Sequence, residues 1–240
     1  MMATLRNSAC TEIATGLSNV TAVLQYLESY QEVMQVLKGH REFNLKQVLY
    51  KGKLLIPPVP NQCRASTCFI HSSCTCVEAL YKRKCALANP QTDFEVVFSA
   101  THLIDQYTQK YGFIGQEDGK KTGVDRLLRA LGLMKDFGAK GFKDEEMLGP
   151  FKIRSFKSIP PVYLPKAKKK MQPKPQAKMP YNIQDLLEHG HVMIATFKIS
   201  TNYPTLKPGE IYKYDKKHPL RYGGRTCSRS VAIIGYGVRD

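Results

Sequence analysis

The apolar pattern of this chain changes period once, near Pro150, and that change limits the folds open to it. Before Pro150, apolar residues recur at helical spacing; after it, short apolar stretches alternate with polar ones. Asn19 to Lys38 places Val20, Val23, Leu24, Leu27, Tyr30, Met34 and Leu37 three or four apart, the stripe of an amphipathic helix. Ser18 or Asn19 suits its start and Gly39 its left-handed stop. A shorter helix is expected over Leu45 to Tyr50. Pro57, Pro58 and Pro60 then force extended backbone. This pattern divides the chain near Lys51 into an N-terminal helical extension (1–50) and a main domain (51–240).

Three more helices are expected in the main domain. Cys68 to Lys84 buries one side through Phe69, Cys76, Val77 and Leu80. A second starts near Ser99 and buries Leu103 and Ile104, and a third runs from Gly123 to Leu133 on Val124, Leu127, Leu128 and Leu131. Strands are expected at Phe151–Ile153, Pro161–Leu164, Val192–Phe197, Ile211–Tyr212 and Val231–Ile234. One helix, Ile183 to His189, interrupts them and Gly190 stops it. Helices first and strands later imply an α+β chain with two lobes. No internal repeat is visible, and a Lys- and Pro-rich insertion occupies about 165–180.

Composition narrows the function classes. At 240 residues and 42% apolar content the chain can bury a substantial core. No run reaches the roughly 18 apolar residues of a membrane span. Met1 to Leu17 mixes Arg6, Asn7, Thr11 and Glu12 with apolar residues and lacks the apolar core of a secretory signal. Five of the seven cysteines fall between Cys63 and Cys85, unlike the spacing of a disulfide-stapled secreted domain. A reducing location, cytoplasmic or nuclear, is the expectation. The net charge of +16 favours acidic partners or nucleic acid. Part of it is local, at Lys166, Lys168, Lys169 and Lys170; such a run is an ordinary solvated insertion or a nucleic-acid patch.

Two distant stretches carry the chemistry. Asn61-Gln62-Cys63-Arg64-Ala65-Ser66-Thr67-Cys68-Phe69 is a polar loop that ends in a cysteine opening a helix. Ser228-Arg229-Ser230-Val231-Ala232-Ile233-Ile234-Gly235-Tyr236-Gly237 is a small-residue and β-branched strand closing on a glycine turn. Together they resemble the papain family of cysteine peptidases. Pro58-Val59-Pro60-Asn61-Gln62, Val77-Glu78, the segment Phe98 to Asp105, Ile183 to Leu187 with Ile194-Ala195, and Gly209-Glu210-Ile211-Tyr212 are similar to further family segments in the same order. The resemblance covers about residues 51–240. It implies a papain-like two-lobed fold, a helical lobe beside a β-barrel-like lobe left incomplete at the C-terminus.

The resemblance also assigns roles. Cys68 stands at the nucleophile and Gln62 at the oxyanion hole. Gly115 and Gln116 line the substrate cleft, where Ile114-Gly115-Gln116 keeps one of the family's two glycines. Arg229 occupies the position of the catalytic base. A guanidinium holds its protons and neither accepts the thiol proton nor donates one to a leaving amine. The family's orienting asparagine has no counterpart before Asp240, Phe69 replaces a tryptophan, and Ala65, Gln106 and Phe113 replace disulfide cysteines. The expectation is therefore a cysteine-peptidase homologue, a peptide-bond hydrolase by ancestry, with its turnover lost or impaired. It needs no cofactor and no metal, works as a monomer, and takes a peptide or protein as its ligand.

Other histidines offer no replacement base. His71 lies one turn along the helix of Cys68 and points to the core by the resemblance, His102 falls on a surface helix, and His189 and His191 flank a helix end. His40 and His218 lie in loops. Zinc at Cys63, Cys68, His71, Cys74 and Cys76 is disfavoured, because ligands on successive faces of one helix do not converge. Two other functions remain open: a non-catalytic basic protein holding a peptide or acidic partner in the old cleft, and a nucleic-acid-associated protein acting through the lysine-rich insertion.

Overall fold

The computed structural model of the chain describes residues 2–6, 42–47, 49–50, 53–58, 62, 66–89, 95–115, 122–158, 183–188, 191–207 and 210–237. The expected helix over 19–38, the expected strand at 161–164 and the insertion at 165–180 lie outside these residues. Helices and strands are mixed, an α+β chain. No helix among the described residues is long and apolar enough to cross a membrane.

The first half supplies short strands and then three helices. The strands are β1 (Met2–Arg6), β2 (Glu42–Asn44), β3 (Leu49–Tyr50) and β4 (Lys53–Leu54). Next come α1 (Cys68–Ala88), β5 (Val97–Phe98), α2 (Ala100–Tyr111) and α3 (Gly123–Asp136). Then β6 (Ala139–Lys143) and β7 (Glu146–Lys157) form a hairpin, so with β1 to β5 strand structure is not confined to the chain after Pro150. After α4 (Ile183–Glu188), the chain ends in β8 (Met193–Lys198), β9 (Arg221–Tyr222), β10 (Arg225–Thr226), β11 (Ser228–Ile233) and β12 (Gly235–Gly237).

Helix α1 is buried on most of its faces, not on one. Phe69, Ile70, Ser72, Ser73, Cys74, Cys76 and the run Val77 to Tyr81 are all withdrawn from solvent. Small residues let neighbouring elements approach closely, and their polar atoms find partners within the core. Ser72 and Ser73 donate to the Phe69 carbonyl at 3.2 and 2.7 Å. The Cys76 thiol donates to the Met193 carbonyl of β8 at 3.6 Å. Buried Glu78 pairs with Lys82 at 2.8 Å and accepts the Phe98 N–H at 3.2 Å, which fastens β5 to the helix. Edge-on rings continue that link, Tyr81 to Phe151 at 5.0 Å, with Phe98 and Phe151 centred 5.2 Å apart.

Two antiparallel ladders flank α1. One sheet has the order β1-β7-β6-β5, and the other pairs β8 with β11 from Met193↔Ile233 to Lys198↔Ser228. Strand β12 pairs with β2, and the Leu45 N–H donates to the Ile234 carbonyl at 2.8 Å. The N-terminal stretch was expected to be a helical extension; its described residues are strand and turn. Leu45 to Tyr50 forms no helix because Asn44 captures the next residues: its side chain accepts the Lys46 N–H at 3.0 Å and its carbonyl the Gln47 N–H at 2.9 Å.

Two further expectations change. On α3, Leu127, Ala130, Leu131, Leu133 and Met134 are buried, whereas Val124 and Leu128 face outward at 43% and 37% exposure. Ile211 and Tyr212 form no strand. Instead Tyr212 turns its hydroxyl to the fully buried Ser200, accepting that residue's N–H at 2.8 Å. The other helices match expectation: α2 starts at the Ser99 cap and buries Leu103, with Ile104 partly buried.

Candidate thiol site

Three elements converge at the start of β11. The first is the open end of α1. Thr67 occupies its N-cap position, but the hydroxyl caps no N–H and is buried without a hydrogen-bond partner. The first turn contains no acidic residue. The partial positive charge of the helix start is thus left unanswered by its own side chains, and Cys68 is the first residue on it.

The second element is β11 itself. Ser230 and Thr196 are opposite each other in the ladder, with hydroxyls 2.9 Å apart. The Ser230 N–H donates to the Cys68 sulfur at 3.4 Å, across 162 residues of sequence. Thus the two stretches singled out in the sequence meet at the thiol. Arg229 is half-buried and opposite Phe197. Alternation along the strand puts its side chain on the face away from Ser228 and Ser230.

The third element is the start of α3. A reciprocal capping box fixes it: Thr122 accepts the Asp125 N–H at 3.3 Å, and Asp125 accepts the Thr122 N–H at 2.8 Å. Gly123 follows, and a side chain there would collide with the Ser228 hydroxyl and press on the Thr196 methyl at 3.1 Å. That glycine lets α3 rest directly on β11 and β8.

The other expected site residues are less concentrated. Gln62 is half-buried and has a partner of its own. Gly115 is exposed beyond α2 with φ of +98°, and nothing crowds the space where a side chain would stand. A larger residue is disfavoured there by backbone conformation, not by packing. Gln116 and the lysines Lys166, Lys168, Lys169 and Lys170 lie outside the described residues.

Among the described residues no histidine nitrogen is hydrogen-bonded to the Cys68 sulfur. His71 is half-buried, its Nδ1 has no partner, and burial lowers its pKa. His102 is shifted down the same way, by burial and then by the Lys140 cation. His218 holds Asp215 at 2.6 Å in an exposed loop, and His191 has a partner elsewhere. The other thiols are quiet. Burial, reinforced by Glu78, pushes Cys74 up to about 12, and burial also raises Cys76. Both are neutral core fillers at physiological pH. Among the described residues no group of three or more His, Cys, Asp or Glu is placed to hold a metal ion.

What this arrangement offers is a sulfur on a helix end, held by one N–H donor, with no histidine hydrogen-bonded to it among the described residues. Sequence reasoning found the thiol and the strand but missed Ser230, Thr196 and Gly123. Ser230 acts through its backbone, which leaves no signature in side-chain identity. Gly123 was visible only as a helix start. Comparison with protein-family models, with curated proteins and with solved structures found no match.

Proposed function

We propose that this chain is a divergent papain-like, two-lobed cysteine-peptidase homologue that retains the nucleophile at Cys68 and has lost proton transfer. The observation that carries this reading is the Ser230 N–H donating to the Cys68 sulfur. A helix-opening cysteine is held against the strand that holds the family's base position. Thioester formation would join Sγ of Cys68 to the substrate carbonyl carbon, and collapse would expel the amine. That amine needs a proton, which in the family comes from the base. A guanidinium does not serve as a general acid or base, so with arginine at position 229 the amine leaves poorly. Loss of general acid–base catalysis costs on the order of 10²- to 10⁴-fold in rate. The old cleft then retains peptides without turning them over. The net charge of +16 favours a second reading, a non-catalytic basic protein that holds an acidic partner.

The test compares wild type, Cys68→Ala and Arg229→His on a peptide library and with a peptidyl aldehyde. Wild type and Cys68→Ala are expected to cleave equally, at background. Cysteine-dependent turnover in the wild type would overturn the loss of activity. The aldehyde should form a hemithioacetal on Cys68 and be competed by peptide. If a small alkylating agent reaches Cys68 while the peptidyl aldehyde does not, the peptide cleft is wrong.

A further inference from the structure

Between β8 and β11 the chain makes a small hairpin whose surface chemistry serves no role in the thiol site. Gly223 and Gly224 have φ of +56° and +76°, the two positive values of the tightest hairpin turn. They set Tyr222 directly opposite Arg225 and Arg221 opposite Thr226. The base of the hairpin is tied down. The Cys227 N–H donates to the Leu220 carbonyl at 2.8 Å, Leu220 donates to Ile199 at 3.0 Å, and buried Ile199 donates back to Cys227 at 3.0 Å.

On this anchored ribbon Tyr222 is 87% exposed, the barest of the large hydrophobic residues described. Arg221 and Arg225 are exposed beside it, as are Lys213, Lys216 and Lys217 on the loop that leads in. The acids of that loop are occupied. Asp215 accepts the Lys217 N–H at 2.8 Å and holds His218, and Glu210 accepts the Lys207 N–H at 2.9 Å. The outcome is a cationic finger with a naked ring and an arginine on one face.

We infer that the β9–β10 hairpin is a contact site for single-stranded nucleic acid, with a base stacked on Tyr222 and an adjacent phosphate held by Arg225. Stacking on one aromatic ring accepts any base, and the guanidinium fork matches phosphate oxygens. A duplex hides the base faces that the ring would use. An acidic peptide would engage the cations but gives the exposed ring nothing to stack on.

The test is fluorescence anisotropy of a labelled oligothymidine with the full chain, across a salt series. Tyr222→Ala should weaken binding on the order of tenfold, while Tyr222→Phe stays within about twofold, because stacking needs the ring and not the hydroxyl. Arg225→Ala should weaken binding and reduce the slope of log K against log salt by about 0.7, one phosphate contact on a single strand. Arg221→Ala, on the other face, should do less. The inference fails if Tyr222→Ala binds like wild type, if affinity depends only on Lys166, Lys168, Lys169 and Lys170, or if no binding occurs. It fails equally if polyglutamate displaces the oligonucleotide and shows the same dependence on Tyr222. Thermal melts check that each variant is folded.

Discussion

At the level of single residues, the bond from Ser230 to Cys68 does two things that can be separated. It joins a helix to a strand, and it leaves a sulfur half-open to solvent. Cys68→Ala removes the acceptor and leaves the Ser230 N–H without a partner, which should cost about 1 kcal/mol of stability in urea melts. Cys68→Ser keeps an acceptor and should recover part of that loss. Accessibility sorts the thiols as well. Cys68 and Cys227 are half-exposed, whereas Cys74, Cys76 and Cys85 are buried. Pulse alkylation of native protein followed by mass spectrometry should label Cys68 and Cys227 before Cys74, Cys76 and Cys85. Early modification of Cys74 or Cys76, which burial keeps as neutral thiols, would mean that α1 opens readily. Cys68 itself was legible in the sequence because a cysteine at a loop-to-helix junction is a side-chain signal. Its partner was not, since any residue but proline at position 230 offers the same N–H.

At the level of elements, the position of α3 decides how closely the helices meet β11. Gly123→Ala would drive a methyl into the Ser228 hydroxyl and toward the Thr196 methyl, at an expected net cost of no more than about 1 kcal/mol, because the hydroxyl can rotate away and alanine favours the helix. Removing the obstruction with Ser228→Ala should restore part of it, and a double-mutant cycle reads that coupling. Additive effects would mean that the two elements do not touch. The same helix shows where periodicity misleads. Two apolar stripes share Leu127 and Leu131, one completed by Val124 and Leu128, the other by Ala130 and Met134. Counting large residues favours the first. The structure buries the second, because the seating of Gly123 on β11 rotates the helix and small Ala130 admits its neighbours. Leu127→Ala should therefore cost about 2–5 kcal/mol, and Leu128→Ala no more than about 0.5. Boundaries were most legible where a local chemical signal marked them, as at the Ser99 cap, whose hydroxyl accepts the His102 N–H at 3.1 Å. They were least legible where a distant strand decided, as at Leu45, whose N–H goes to Ile234.

For the molecule as a whole, titratable groups shifted from their ordinary values should limit the pH range of greatest stability. His71 and His102 are shifted below their ordinary value of 6.5, chiefly by burial. Unfolding frees both to take up protons that the folded chain leaves off. Their contribution is complete above 6.5 and is lost as pH falls through the lowered folded values. Asp215 acts next. Its carboxylate is held below the ordinary 3.8 by the His218 side chain and the Lys217 N–H, so its contribution fades only as pH falls below 3.8. On the alkaline side the sign reverses. Cys74 and Cys76 are raised from 9.0 by burial, Cys74 to about 12. Unfolded thiols ionise from 9.0 upward while the folded ones stay neutral, so stability falls with rising pH above that point. Urea midpoints should form a plateau between about pH 6.5 and 9 and decline on both sides. Joint replacement of His71 and His102 by glutamine should flatten the acid shoulder that begins below pH 6.5 and leave the alkaline one intact. Joint replacement of Cys74 and Cys76 by alanine should do the converse. If the histidine variant keeps the acid shoulder, the rising positive charge of an already basic chain dominates instead. Added salt, which screens that repulsion, would then raise the acid-side midpoints.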